Sequence, residues 1–226
     1  MKSPANAPQT EDELLQRADR IAGRTLGELA DAYAVEVPAD LRRAKGWVGQ
    51  LIEECLGASA GNQPIPDFVD LGVELKTLPV NRDGRPYEST YVGAVPLLDA
   101  DELDWHSSSA RRKLRRVLWV PILAEPDLEI CERVVGRSAL WSPNEEQEAA
   151  LRADWEAHIQ AIREGAVDNI RGGDGSVLQV RPKAADSSQL TWGVDERGEA
   201  IMTAPRGFYL RSFFTHYVLL SNLAQH

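Results

Sequence analysis

The stretch PDFVDLGVELK, Pro66 to Lys76, decides how the chain is read. Its last four residues, Val73-Glu74-Leu75-Lys76, alternate apolar and charged with the period of two that marks a half-buried β-strand. The alternation puts Glu74 and Lys76 on one face, an acid beside a base, with Asp67 and Asp70 a few residues upstream. One reading is a strand-face ion pair, worth under about 1 kcal/mol. The other is the pattern D-x6-E-x-K of metal-dependent phosphodiester cleavage. In that chemistry two carboxylates hold a hard divalent cation such as Mg2+, which keeps most of its waters. The cation lowers the pKa of a bound water, and the lysine stabilises charge developing on the phosphate. The pattern occurs by chance in many proteins, so spacing alone favours the ion pair.

Around this stretch the chain has the bulk of one domain, or of two lobes sharing a core: 226 residues, 43% apolar and 27% charged. No apolar run approaches the roughly 18 residues needed to span a bilayer. The N-terminal MKSPANAPQTEDE lacks the apolar centre of a signal peptide. Cys55 and Cys131 form no CxxC pair, and Cys55 falls in an apolar helical stretch as a core thiol. These features point to the cytoplasm and away from membranes. A net charge of −10 speaks at first against a polyanionic partner, but the charge is segregated. Residues 121–170 carry eleven acids against four Lys/Arg, residues 171–226 carry six Lys/Arg against five acids, and no acid occurs from Trp105 to Leu123. In that window Arg111-Arg112-Lys113-Leu114-Arg115-Arg116 feeds directly into the apolar strand Val117-Leu118-Trp119-Val120-Pro121-Ile122. Such a run is either a solvated helix face or a cationic footprint anchored to a rigid element.

Spacing and punctuation predict the organisation. Residues 1–9 are expected to be disordered. A capping box, Thr10-x-x-Glu13, opens a helix carrying Leu14, Leu15, Ala18, Ile21 and Ala22. A short helix over 25–33 follows, then an amphipathic helix from Arg43 to Leu56 stopped by Gly57. Strands are expected near 71–79, 91–97 and 117–123, with 81–88 as a turn. Ser142-Pro143-Asn144-Glu145 reads as a second capping box, with proline at the first helical position, opening a helix to about Glu164. GGDGS at 172–176 is a tight turn into Val177–Val180, and Arg211 to Ala224 is a C-terminal amphipathic helix. The sum is a mixed α+β fold, a mixed sheet flanked by helices.

Six ordered blocks carry a resemblance. They are KGWVGQLIE from Lys45, PDFVDLGVELKTLPV from Pro66, RRKLRRVLWVP from Arg111, ALWSPNEE at 139–146, VRPKAA from Val180 and PRGFYL from Pro205. Together they resemble the MutH family, the strand-nicking endonucleases of methyl-directed DNA mismatch repair, related to restriction enzymes that cut GATC. The resemblance runs from about residue 10 to 220. It implies a restriction-endonuclease-like PD-(D/E)xK nuclease fold, with a mixed central sheet flanked by helices. The implied domain is 10–226, with two lobes forming a DNA cleft: a catalytic lobe including about 40–123 and a DNA-reading C-terminal lobe of about 124–226.

The resemblance also implies roles, position by position. Asp67 and Glu74 match the metal-binding carboxylates, with Leu75 beside them as a further ligand, and Lys76 matches the catalytic lysine. Asp67 is preferred to Asp70 because the family motif sets its ligand seven residues before the glutamate. Glu53 matches an additional active-site acid, Lys113 a lysine near the scissile phosphate, and Lys45 a DNA contact. Arg181, Pro182 and Lys183 resemble the recognition loop, Arg181 being suited to bidentate contact with guanine O6 and N7. Tyr209 matches the residue that senses adenine N6, where a methyl group removes a donor hydrogen and adds bulk. Gly207 is expected to supply a turn that brings the backbone near DNA. Trp119, Trp155 and Phe208 read as core. The implied activity is Mg2+-dependent nicking of the unmethylated strand of double-stranded DNA at hemimethylated or unmethylated GATC sites, by a monomer activated by MutL and MutS. Two rivals stand beside it: a GATC-specific type II restriction endonuclease that cuts both strands, and a non-catalytic DNA-binding module.

Overall fold

The computed structural model describes residues 6–223 apart from 62, 64, 99 and 184–188. In chain order the elements are α1 (Glu11–Ile21), α2 (Leu26–Tyr33), α3 (Trp47–Leu56), β1 (Glu74–Val80), β2 (Thr90–Ala94), α4 (Ser109–Leu114), β3 (Val117–Leu123), β4 (Val134–Val135), β5 (Ala139–Trp141), α5 (Glu145–Arg163), β6 (Leu178–Pro182), β7 (Thr191–Val194), β8 (Ala200–Thr203), β9 (Arg206–Leu210) and α6 (Ser212–Leu223). The fold is mixed α+β, and it divides into two compact units. One comprises the chain up to Glu88, Arg115–Ser142 and the residues from Thr215 on; the other comprises Ser89–Leu114 and Pro143–Phe214. No helix among the described residues is long and apolar enough to cross a membrane.

The first unit is organised around β3, whose residues Val117 to Ile122 are all buried. An apolar run of this kind suits a strand with neighbours on both sides. β1 lies parallel to it, in register from Glu74↔Val117 to Val80↔Leu123, while β4 and β5 pair with it antiparallel. Helices α1–α3 bury Leu14, Leu26, Leu29, Leu51 and Ile52 in one core with Leu75, Leu118 and Val120 of the sheet. Thr10 caps α1, its hydroxyl accepting from Glu13 N at 3.1 Å. Gln9 N in turn donates to the Glu13 carboxylate at 2.8 Å, which ties Gln9 to the helix. Of the 1–9 segment expected to be disordered, 1–5 lie outside the described residues.

Two boundaries in this unit differ from expectation, both because of a glycine. α3 begins at Trp47 and not at Arg43, since Gly46 sits at φ 87, a left-handed conformation that no helix can pass through. β1 begins at Glu74 and not near 71. Val69–Leu71 form a single 3-10 turn closed by Gly72 at φ 64, and Phe68 and Val73 pair across it. That turn fixes where the strand starts, and therefore which way Glu74 points.

In the second unit β9 lies between β2 and β6, antiparallel to both, while β7 and β8 form a separate hairpin. α5 buries Leu151, Trp155, Ile159 and Ile162, with Trp155 against Trp105 at a ring separation of 5.7 Å. Its buried Asp154 accepts from the backbone N–H groups of Ser176, Val177 and Leu178 at 2.6–2.8 Å, which fixes the turn that launches β6. The cap of α5 is Asn144 and not Ser142. The Asn144 side chain accepts from Gln147 N, Gln147 reaches back to Asn144 N, and Pro143 stays outside the helix. Asparagine and serine cap about equally well; the box used is the one that Gln147, three residues on from Asn144, closes.

The units also depart from the expected lobes. Residues 89–114, placed in the catalytic lobe, belong to the second unit, and 124–142 belong to the first. The cause is long-range pairing: β2 finds its partner in β9, Thr90 opposite Leu210. α6 begins in the second unit and ends in the first; Ala224, its expected end, lies outside the described residues.

Candidate active site and base-reading face

The first unit brings Asp67, Glu74, Leu75 and Lys76 together. Asp67 stands just ahead of the 3-10 turn, its backbone carbonyl accepting from Ser59 N and Ala60 N at 3.0 and 3.2 Å. Its Oδ2 accepts from Leu75 N at 2.7 Å, which sets the carboxylate beside the start of β1. Glu74 is 1% exposed, and its Oε1 accepts from Lys76 Nζ at 2.7 Å. The acid and the base therefore share a strand face, but this is no solvated surface pair. Asp70 is exposed on the turn. Glu53 is half-buried on α3, with Oε1 near Gly49 on the side where Thr77 approaches. Among the described residues no three His, Cys, Asp or Glu side chains form a metal-holding group. Two carboxylates and the Leu75 carbonyl make an all-oxygen donor set, which fits a hard cation such as Mg2+ and not a thiophilic one. Lys45 is exposed on the turn ahead of α3.

Lys113 is half-buried at the end of α4 and belongs to the second unit, whereas the Asp67–Lys76 group belongs to the first. The cationic run around it divides by partner. Arg111 Nε donates to Glu148 Oε1 at 2.7 Å, and the same oxygen accepts from Trp105 Nε1 at 2.9 Å. Arg116 holds Glu11 of α1 with Nε at 2.8 Å and a second bond from Nη2; this hydrogen bond keeps the Glu11 carboxyl below its ordinary pKa. Arg112 and Arg115 are exposed. Replacing both of those by Ala is expected to weaken binding to all duplexes alike and to flatten the salt dependence, by about 0.9 in log K per log salt for each phosphate no longer neutralised. Replacing Arg111 or Arg116 should leave the slope and lower thermal stability instead. A binding titration across a salt series checks both, and an unchanged slope in the Arg112/Arg115 variant would reduce the run to a solvated face.

The second unit gathers the other group on one face of the β2–β9–β6 sheet. Arg181 and Pro182, exposed at the end of β6, lie opposite Gly207 and Arg206. Lys183 follows, its N–H donating to Pro205 O at 2.8 Å. The Arg181 guanidinium stands 5.8 Å from the Tyr209 ring centre, and Lys183 Nζ stands 4.8 Å from that of Tyr91. The two rings meet edge to face, 5.3 Å apart at 62°. Both cation–ring distances are within reach of a cation–π attraction. Tyr91 is a member of this group that the sequence does not single out. Its usable signal is its place in the alternating TYVGA of β2, but only the β2–β9 pairing puts it opposite Tyr209. Gly207 makes no turn: it lies inside β9. Trp119, Trp155 and Phe208 are buried, as expected for core.

The family described as MutH, DNA mismatch repair enzyme MutH, matches residues 56–154. A curated relative named DNA mismatch repair protein MutH, from Yersinia enterocolitica serotype O:8, is 50% identical over 212 residues, 94% of this chain and 93% of that one. Proteins of the same name from Shewanella woodyi and Pectobacterium atrosepticum are each 48% identical, over 95% and 96% of this chain and 93% and 96% of their own. Among solved structures, a complex of restriction endonuclease MvaI with cognate DNA aligns over 92% of this chain and 93% of that one, at 11% identity and a TM-score of 0.35, too low to bear on the fold.

Proposed function

The chain belongs to the MutH family of DNA mismatch repair endonucleases, and from that premise we propose its reaction: Mg2+-dependent nicking of the unmethylated strand at hemimethylated GATC sites. The observation that carries the catalytic part is the burial of Glu74 against Lys76. Taking a carboxylate out of water costs several kcal/mol even with a partner. A structural pair at this position is better replaced by apolar residues, whereas a cation site needs the charge where it is. Asp67, Glu74 and the Leu75 carbonyl would hold Mg2+, which when bound would supply a water of lowered pKa and neutralise charge on the phosphate.

The remaining work falls to the chain's own groups. Leu75 N holds the Asp67 carboxylate in place. Lys76 offers its ammonium to the charge that grows on the phosphate as the bond breaks. Glu53 serves as the additional acid, and Lys45 and Lys113 as phosphate contacts. In the second unit Arg181 reads guanine through O6 and N7, with Pro182 and Lys183 beside it. Tyr209 excludes N6-methyladenine by crowding. The enzyme acts as a monomer in the cytoplasm and is activated by MutL and MutS. A net charge of −10, with two arginines of the cationic run already tied to acids, suits an enzyme that binds DNA weakly until recruited.

The test is incubation of the purified protein with hemimethylated GATC plasmid, with and without Mg2+ and with and without MutL. A nick confined to the unmethylated strand, lost on chelation and increased by MutL, is expected. Double-strand cuts without MutL would replace this reading by the restriction enzyme, and binding without cleavage by the non-catalytic module. Tyr209→Ser is expected to keep activity on unmethylated duplex and to narrow the unmethylated-to-methylated preference; a loss of about 100-fold corresponds to about 2.7 kcal/mol, within reach of one clash and one lost hydrogen bond. Cleavage of unmethylated, hemimethylated and fully methylated duplexes measures it. An unchanged preference would place the sensor elsewhere.

A further inference from the structure

We infer that Gly207 is a positioning residue for base reading: its missing side chain is the space into which the Tyr91 and Tyr209 rings close, and that closure holds Tyr209 and Lys183 at the reading face. The inference rests on the proposed reading role of Tyr209. Gly207 lies in the central strand β9, opposite Ala94 of β2 and Arg181 of β6. A Cβ built there would stand 2.9 Å from Tyr91 Cε2 and 3.0 Å from Tyr209 Cε2, with Tyr91 Cδ2 at 3.3 Å. Real Cβ atoms essentially never show the 2.9 Å contact, and 3.0 and 3.3 Å are tighter than nine in ten, so Tyr91 has to shift and Tyr209 has to give by a few tenths of an ångström. Space is the whole restriction, because Gly207 is not among the residues of positive φ.

What moves matters. Tyr91 and Tyr209 are directly opposed across the β2–β9 pair and already meet edge to face. Lys183 stands over the Tyr91 ring and Arg181 over the Tyr209 ring. A side chain at 207 pushes on both rings at once, and through them on both cations. Discrimination by crowding depends on where a ring edge stops to within a fraction of an ångström, since repulsion rises steeply with overlap. The glycine therefore sets selectivity without touching DNA. β2 contains its own control: a Cβ added at Gly93, opposite Phe208, meets nothing within 4 Å. Alanine at Gly93 changes strand propensity in the same way but strikes no ring.

The experiment compares Gly207→Ala, Gly93→Ala, Tyr91→Phe and Tyr91→Leu in the full chain. Nicking of unmethylated and fully methylated GATC duplexes is measured, together with the NMR shifts of 13Cε-labelled Lys183. Gly207→Ala is expected to narrow the preference by about tenfold or more, with Tyr91→Leu acting in the same sense, while Gly93→Ala and Tyr91→Phe stay near wild type. In the wild type the ring current of Tyr91 should move the Lys183 methylene protons upfield, and Gly207→Ala should return them toward the free value. Equal losses on both substrates, equal effects of the two glycine variants, or a preference kept within about twofold would each overturn the inference. If Gly207→Ala fails to fold, Tyr91→Leu against Tyr91→Phe decides by the same criteria. If the wild type shows no methylation preference, the base-reading proposal fails, and the Lys183 shifts still decide: shifts unmoved by Gly207→Ala would overturn the positioning role.

Discussion

Glu74→Gln is expected to lower nicking by at least about a thousandfold while duplex binding stays within a few-fold, the signature of an interaction used in the chemical step. The substitution keeps the shape of the side chain, which is 1% exposed, so packing is largely preserved. What it removes is the charge that answers both Lys76 and a cation. Asp67→Asn is expected to behave alike, though its bond from Leu75 N can survive on the amide oxygen. Lys76→Ala should lose several kcal/mol of transition-state stabilisation and also leave Glu74 buried without its 2.7 Å partner, so it should lower the melting temperature as well as the rate. Asp70→Asn is the control and should retain most activity, Asp70 being exposed on the turn. Single-turnover nicking and equilibrium binding in parallel separate these outcomes. A near wild-type rate in Glu74→Gln, Asp67→Asn or Lys76→Ala would remove that residue from the catalytic set.

The second large effect concerns stability. Asp154→Ala is expected to destabilise the protein by about 3–5 kcal/mol, because it strands backbone donors that one buried carboxylate now satisfies. Burial alone would raise the Asp154 carboxyl; the N–H groups of Leu178, Ser176 and Val177 and the Ser176 hydroxyl outweigh it and hold the pKa below its ordinary value. A carboxyl depressed in the folded state adds stability that is fully present above its unfolded pKa, near 3.9, and is lost as pH falls through the lower folded value. Chemical denaturation of wild type and Asp154→Asn as a function of pH should show the largest gap above about pH 5 and convergence in stronger acid. A gap independent of pH would mean that shape, and not charge, holds the turn.

The parts of the fold that can be read from the residues are those with local causes. Val73–Lys76 reads as a strand by its alternation, although Glu74 on the charged face is as deeply buried as Val73 and Leu75 on the apolar one, and Val117–Ile122 is apolar throughout because β3 is buried along its length. Thr10 and Asn144 cap helices by bonds that span three residues, though for α5 the nearby Ser142 and Pro143 offer a competing start that the structure does not use. The division into units leaves no local mark. Nothing in TYVGA says that its partner lies near residue 208, so sequence order groups residues 89–114 with their neighbours, and Lys113 with the catalytic strand. Gly207 misleads for a similar reason. A glycine read alone suggests a turn; the two rings that require it come from different strands. The Asp67–Lys76 group is legible because all its members fall within ten residues and one turn sets their geometry.

The pairing of β2 with β9 also orders events at the ribosome. Thr90 emerges long before Leu210, its register partner, and synthesis proceeds at about 5–20 residues per second. For several seconds β2 has no strand to bind, and the three-stranded sheet that carries Arg181 and Tyr209 can close only after Leu210 has emerged. The β1–β3 pair, by contrast, is complete once Leu123 has emerged. The strand that bears Glu74 and Lys76 can therefore be in register while the reading face does not yet exist, and a nascent chain stalled short of residue 181 would hold Asp67, Glu74 and Lys76 without Arg181, Lys183 or Tyr209.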